Sequence, residues 1–197
     1  MNNIISQMLK DEEYNLFKRD GIKVIFQKSS GYPEDCIEIQ KNKVTHKFIV
    51  QEVHRDVKKI KLETEDEVEA DICAVIMYKR MCDDIAYGKK TEQIRDFINT
   101  ANKDEILDFI ADKFDSSLYS INNEDAMKIS LLSKDNKVDI KFAGEYIVHN
   151  ITWSRGYIVL CNYCEKLQYI CLYLERIQTQ LQHDFDREKM IKWYILG

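Results

Sequence analysis

Cys161-Asn162-Tyr163-Cys164 is the one C-x-x-C in the chain. Cysteines at that spacing hold zinc or cycle between thiol and disulfide. A zinc site needs about four nitrogen or sulfur ligands, and the nearest further candidates are His149, Cys171 and His183. A redox pair belongs at a helix N-terminus, which is where the local pattern puts this one. The competing reading is packing. The other cysteines are Cys36, Cys73, Cys82 and Cys171, and no secretory signal precedes them, so reduced thiols in a cytoplasmic compartment are expected. Cys73 and Cys171 each follow an isoleucine inside an apolar stretch, where a nucleophile lacks access and a general base. His46 and His54 stand eight residues apart on one predicted strand, and no H-x-x-x-H or H-E-x-x-H occurs. G-x-G-x-x-G, G-K-[ST] and G-x-S-x-G are absent as well. The sequence therefore nominates no catalytic residue, no metal ligand set and no cofactor, and a protein that is not an enzyme is expected.

A different chemistry is concentrated in Glu63, Glu65, Asp66, Glu67, Glu69 and Asp71. Acids in a first helical turn meet the positive end of the helix dipole, so part of this run serves folding. Thr64 and Glu67 have the spacing of a capping box. The remaining acids are free to form a docking patch for a basic protein. The expected partner-binding residues are Glu63, Glu65, Asp66, Glu69, Asp83 and Asp84.

Periodicity supplies the elements that must carry these groups. A short amphipathic helix is predicted over about 2–18, then strands at 22–26, 36–40, 44–53 and 57–62, with a loop at Ser29–Pro33. A helix capped at Thr64 runs to about Ala86, with Gly88 ending it, and shorter helices follow at 91–99 and 103–114. Asn102 and Glu105 form a second capping-box pair. Further strands are predicted at 127–132, 138–142, 146–153 and 157–161, then a helix over about 163–181 capped by Asn162, and a last helix at 186–196.

The two series echo each other. Phe48-Ile49-Val50-Gln51-Glu52-Val53 reads against Tyr146-Ile147-Val148-His149-Asn150-Ile151, 98 positions later. At the same offset Ile60 meets Ile158, Leu62 meets Leu160, Glu67 meets Glu165, and Ile72-Cys73 meets Ile170-Cys171. A domain-sized period implies two related halves rather than a solenoid. The expected fold is α+β: two tandem halves, 1–118 and 119–197, each an antiparallel four-strand meander followed by a long helix and a shorter trailing helix. The acidic run belongs to one half and the C-x-x-C to the other.

Composition narrows the partners. The net charge is −5, and Lys and Arg form no basic stripe, so a phosphate-backbone binder is not expected. No stretch approaches the ~20 apolar residues that span a bilayer. A homodimer is compatible with everything above.

Cys36-Ile37-Glu38-Ile39, then Lys47-Phe48-Ile49-Val50-Gln51-Glu52, then Leu62-Glu63-Thr64-Glu65-Asp66 opening a helix, resembles immunity proteins of bacterial polymorphic toxin systems. The likeness touches about half of the chain. One group in that class carries an I-E-V strand, an aromatic strand ending in E-R-G, a T-x-D helix start and a later D-x-R-x-x-F helix. Here Val53-His54-Arg55-Asp56 follows Glu52 in place of E-R-G, Arg155-Gly156 occurs without the acid, and Arg95-Asp96-Phe97 and Asp186-Arg187 are partial forms of the last element. The resemblance implies a small cytoplasmic protein that binds and neutralises a cognate toxin, here a basic one. Two other classes remain: a metal- or redox-dependent regulator using Cys161 and Cys164, and a non-catalytic adaptor of mobile-element origin.

Overall fold

The computed structural model describes residues 4–28, 34–86 and 88–197, with the backbone alone over 83–86 and 88–93. The loop predicted at Ser29–Pro33 lies outside the described residues. The chain is α+β and forms two compact units, Met1–Asp84 with Ile177–Asp186, and Ile85–Arg176 with Arg187–Gly197. The sequence reading divides the chain at 118/119 instead, because it followed the 98-residue echo.

The first unit is built on an antiparallel five-stranded meander: β1 (Tyr14–Arg19), β2 (Ile22–Gln27), β3 (Asp35–Lys41), β4 (Phe48–His54) and β5 (Val57–Thr64), paired in chain order. The predicted N-terminal helix shrinks to α1 (Ile4–Met8). Leu16 and Phe17 join β1 because Asp20 and Gly21 both take positive φ and close a tight hairpin. The predicted strand at 44–53 starts late. Asn42 Oδ1 accepts from the Val44 and Thr45 amides at 2.9 and 3.1 Å, and this side-chain turn holds 43–47 as a loop. Arg55 and Asp56, both at positive φ, turn β4 into β5.

The helix α2 (Glu67–Ala86) supplies the core with Ile72, Cys73, Val75, Ile76 and Tyr78. Lys23 of β2 bonds Glu67 and Asp71 of α2 at 2.8 and 2.6 Å, which fixes the sheet face that meets the helix. By strand register that face carries the buried Ile25, Ile37, Ile39, Val50 and Leu62.

The second unit contains α3 (Gly88–Thr100), α4 (Lys103–Lys113), β6 (Tyr119–Ile121), β7 (Ile129–Lys134), β8 (Lys137–Phe142), β9 (Glu145–Ile151), most of α5 (Trp153–Leu181) and α6 (Arg187–Leu196). Gly88 opens α3 rather than merely ending α2. The capping box of α4 forms as predicted: Asn102 Oδ1 accepts from the Asp104 and Glu105 amides at 3.0 Å, and Glu105 accepts from the Asn102 amide at 2.8 Å. The sheet is mixed, because β6 pairs in parallel with β7 while β7, β8 and β9 form an antiparallel meander.

The largest departure from the sequence reading is α5. The predicted strand at 157–161 is helical, and the helix starts ten residues before its predicted beginning at 163. The Gly156 amide donates to the Thr152 carbonyl at 2.8 Å, so Thr152 heads the helix and Asn162 lies inside it. Tyr157, Leu160, Cys161, Cys164, Leu167, Ile170 and Leu174 are all buried, at the spacing of one helical face. Gly156 lets that face come close to β8. A Cβ there would stand 2.2 Å from Val138 Cγ2. The expected pair of four-strand meanders is thus a five-stranded antiparallel sheet and a four-stranded mixed one.

Candidate functional site

The acidic run divides between folding and surface. Asp66, not Thr64, caps α2: its carbonyl accepts from the Ala70 amide at 3.1 Å and its Oδ1 from the Val68 amide at 2.8 Å. Thr64 serves one step earlier. Its hydroxyl donates to Glu69 Oε2 at 2.5 Å and accepts the Asp66 amide at 3.1 Å. Asp66 Oδ2 also lies 3.1 Å from His183 Nε2. Asp71 is buried against Lys23. Burial pushes the Asp71 carboxyl above its ordinary range, and Lys23 only partly opposes this. For Lys23, burial alone would lower the ammonium's pKa, but Asp71 and Glu67 together carry it above its usual value. Asp66 and Glu69 are therefore held within the first unit. Glu63 and Glu65 are exposed and have no partner among the described residues. The side chains of Asp83 and Asp84 lie outside the described residues.

Glu63 and Glu65 sit at the end of β5, an edge strand of the five-stranded sheet. This edge exposes apolar groups as well: Val57 is 70% and Ile60 56% exposed. Its lysines are largely matched from within. Lys58 bonds both oxygens of Glu38 on β3 at 3.0 Å, and Lys61 lies 3.1 Å from Glu52 on β4. Glu38 also accepts from Gln51 at 2.6 Å. The edge therefore exposes Val57 and Ile60 along its length and ends at two carboxylates that have no partner among the described residues.

The cysteines behave as packing residues. Cys161 and Cys164 are buried on the inner face of α5 rather than at its N-terminus, and all six cysteines are free thiols. Burial pushes the Cys161 thiol up to about 12 and Cys164 well above its ordinary value, the opposite of the lowered pKa that makes a reactive thiolate. Among the described residues, no group of three or more His, Cys, Asp or Glu is placed to hold a metal ion.

Sequence reasoning missed the partners of the histidines. His54 Nδ1 pairs with Asp35 across the β3–β4 register. In the second unit, Asp139 is buried on β8 opposite an irregularity in β9, where Asn150 takes φ +56°. Asp139 Oδ1 accepts from the Asn150 amide and lies within hydrogen-bond range of His149 Nδ1, both at 2.7 Å. Asp139 and His149 line a polar cleft of about 240 Å³ with Lys134 and Lys137. Its first role is structural, because the carboxylate satisfies a backbone amide at a bulge. Hairpin register was the signal that could have found both pairs.

No protein-family model matches the chain, nor does any curated protein or solved structure. Among the described residues, no helix is long and apolar enough to cross a membrane.

Proposed function

We propose that the protein is a non-catalytic inhibitor, an immunity protein that binds a basic toxin domain in the cytoplasm through the β5 edge. One observation carries the reading. An edge strand exposes Val57 and Ile60 while Glu63 and Glu65 at its end have no partner among the described residues. Exposed edges invite strand addition or side-chain docking from a partner. Apolar anchors supply most of the affinity of such a contact, and flanking charge sets encounter rate and specificity. The two units as descendants of one ancestral half belong to the same reading. The sequence match between β4 and β9 at the 98-residue offset supports that descent, and the different sheets weigh against it.

The test uses the product of the gene immediately upstream as the partner. Val57→Asp with Ile60→Asp is expected to weaken binding by about a hundredfold or more, the scale of a lost hot spot. Glu63→Lys with Glu65→Lys is expected to slow association and flatten its salt dependence. Wild-type affinity in both variants would remove this edge from the reading. A gene standing among metabolic genes, with no toxic neighbour, would count against the immunity role itself.

A further inference from the structure

The polar cleft beside Asp139 shares no residue with the β5 edge. It holds about 240 Å³, and its whole lining is polar: Lys134, Asp135, Lys137, Asp139, His149 and Asn150. Sites for organic ligands are mostly apolar, so this lining suits a small ion instead.

Strand register brings the lining to one face. Asp135 and Asn136 both take positive φ and close the β7–β8 hairpin in two residues, so Lys134 and Lys137 stand directly opposite each other. Val138 faces α5, where a Cβ on Gly156 would meet its Cγ2. Lys137 and Asp139 flank Val138 and point the other way, and Lys134 shares that face through its pairing with Lys137. Like charges directly opposite each other weaken a hairpin. No carboxylate pairs with either lysine among the described residues. An anion between them would remove the repulsion.

His149 is fixed on the same cleft. A carboxylate accepts, so the contact with Asp139 Oδ1 puts a proton on Nδ1 and turns Nε2 away from the carboxylate. The His149 side chain is 61% exposed, and Nε2 has no partner among the described residues. Tyr146 packs edge-on against the ring, with centroids 4.9 Å apart. Of the two acids in the lining, Asp139 is already engaged, because its Oδ1 also takes the Asn150 amide. Asp135 lies in the exposed turn and opposes an anion.

We propose that this cleft binds a phosphoryl anion, as free phosphate or as a phosphate monoester. The Lys134 and Lys137 ammoniums meet two of its oxygens. A third oxygen shares a proton with His149 Nε2: a neutral imidazole accepts from P–OH, and an imidazolium donates to P–O⁻. Asp139 is a positioning residue that holds the ring. The failure of this site and the failure of the β5 edge are separate results.

The experiment titrates the whole protein at fixed pH with inorganic phosphate and with methyl phosphate. Two-dimensional NMR follows the histidine rings and the amides of residues 134–150. Saturable shifts are expected at His149 and around the β7–β8 turn, with Kd on the order of 1 mM at low ionic strength. His54 is the internal control: its Nδ1 also pairs with a carboxylate, Asp35, but nearby Arg55 and Lys58 are matched by Glu34 and Glu38. Its ring signals should stay in place, and sodium chloride at matched ionic strength should move neither ring. Lys134→Gln and Lys137→Gln should each weaken phosphate about threefold, the scale of an exposed ion pair. Each should leave the ligand-free protein as stable or more stable, because the like-charge pair is gone. His149→Ala, read at the turn amides, should weaken phosphate about tenfold, the scale of one hydrogen bond to a charged group. Asp135→Asn should tighten phosphate about twofold, and asparagine suits the positive-φ turn, so the change isolates charge. A cleft with a purely structural role would show none of these changes in affinity. Saturation by either anion supports the site, and the tighter of the two identifies free phosphate or a monoester as the source. The proposal is overturned if neither anion saturates, if chloride reproduces the shifts, or if His54 moves as far as His149. It is also overturned if the lysine substitutions leave Kd unchanged or Asp135→Asn weakens binding.

Discussion

Residues 48–73 and 146–171 match at a fixed spacing and begin alike, as β4 and β9, the strands that precede β5 and α5. After that they diverge. In the first stretch Arg55 and Asp56 turn the chain straight back, and Val57 to Thr64 pairs as β5. In the second, Asn150 breaks the strand, Thr152 heads a helix, and the residues opposite Ile60 and Leu62 lie on α5. The matching letters are apolar types that suit a strand or a buried helix face. What differs lies between them: a two-residue positive-φ turn on one side, and a glycine placed for helix-on-sheet contact on the other. Shared apolar spacing did not fix the element; the connecting residues did.

The comparison breaks most sharply under proline. Ile158→Pro is expected to cost about 3 kcal/mol or more in chemical denaturation, because it removes an interior helical bond and clashes with the preceding turn. A near-wild-type midpoint would mean the segment is not helical. Next in size is Gly156→Ala. Overpacking against Val138 should cost about 1–3 kcal/mol even though alanine favours helix, and Val138→Ala should recover much of that loss in a double-mutant cycle.

The third test compares Asp66, which caps α2 in the structure, with Asn162, which the sequence reads as a cap equivalent to Thr64. Asp66→Ala should cost about 1 kcal/mol as a lost N-cap. Asn162→Ala should stabilise by about 0.5–1 kcal/mol, because the Asn162 Oδ1 is buried without a partner inside α5. A destabilised Asn162→Ala would restore Asn162 as a cap. The smallest effect is kinetic. Burial raises the Cys161 and Cys164 thiols, so at pH 8 a thiol reagent should modify them only at the rate of unfolding, as peptide mapping of the labelled protein would show. Prompt labelling would reopen the redox reading.

Legibility followed the range of the interaction. The capping box at Asn102 and Glu105, the strands near 22–26 and 36–40 and the long α2 were readable because neighbouring residues decide them. The strand β6 was not, since three residues gain their identity only by pairing in parallel with β7. The start of α5 was readable in principle. Trp153, Tyr157, Leu160, Cys161 and Cys164 recur at helical spacing, but the echo with β5 outweighs that period. At the candidate site, Glu63 and Glu65 emerged from charge alone. The neutralisation of Lys58 by Glu38 and of Lys61 by Glu52 could not, because it depends on strand register.

The chain leaves the first unit after Asp84 and returns to it at Ile177–Asp186, where His183 reaches the cap of α2. During translation that return segment is made on the order of 5–20 s after the sheet it joins, at ordinary rates of synthesis. The nascent first unit must wait through that interval incomplete, with most of the second unit emerging in between. A gene fragment cut after Asp84 would produce the same unfinished species permanently, so no single cut in the gene yields the first unit whole.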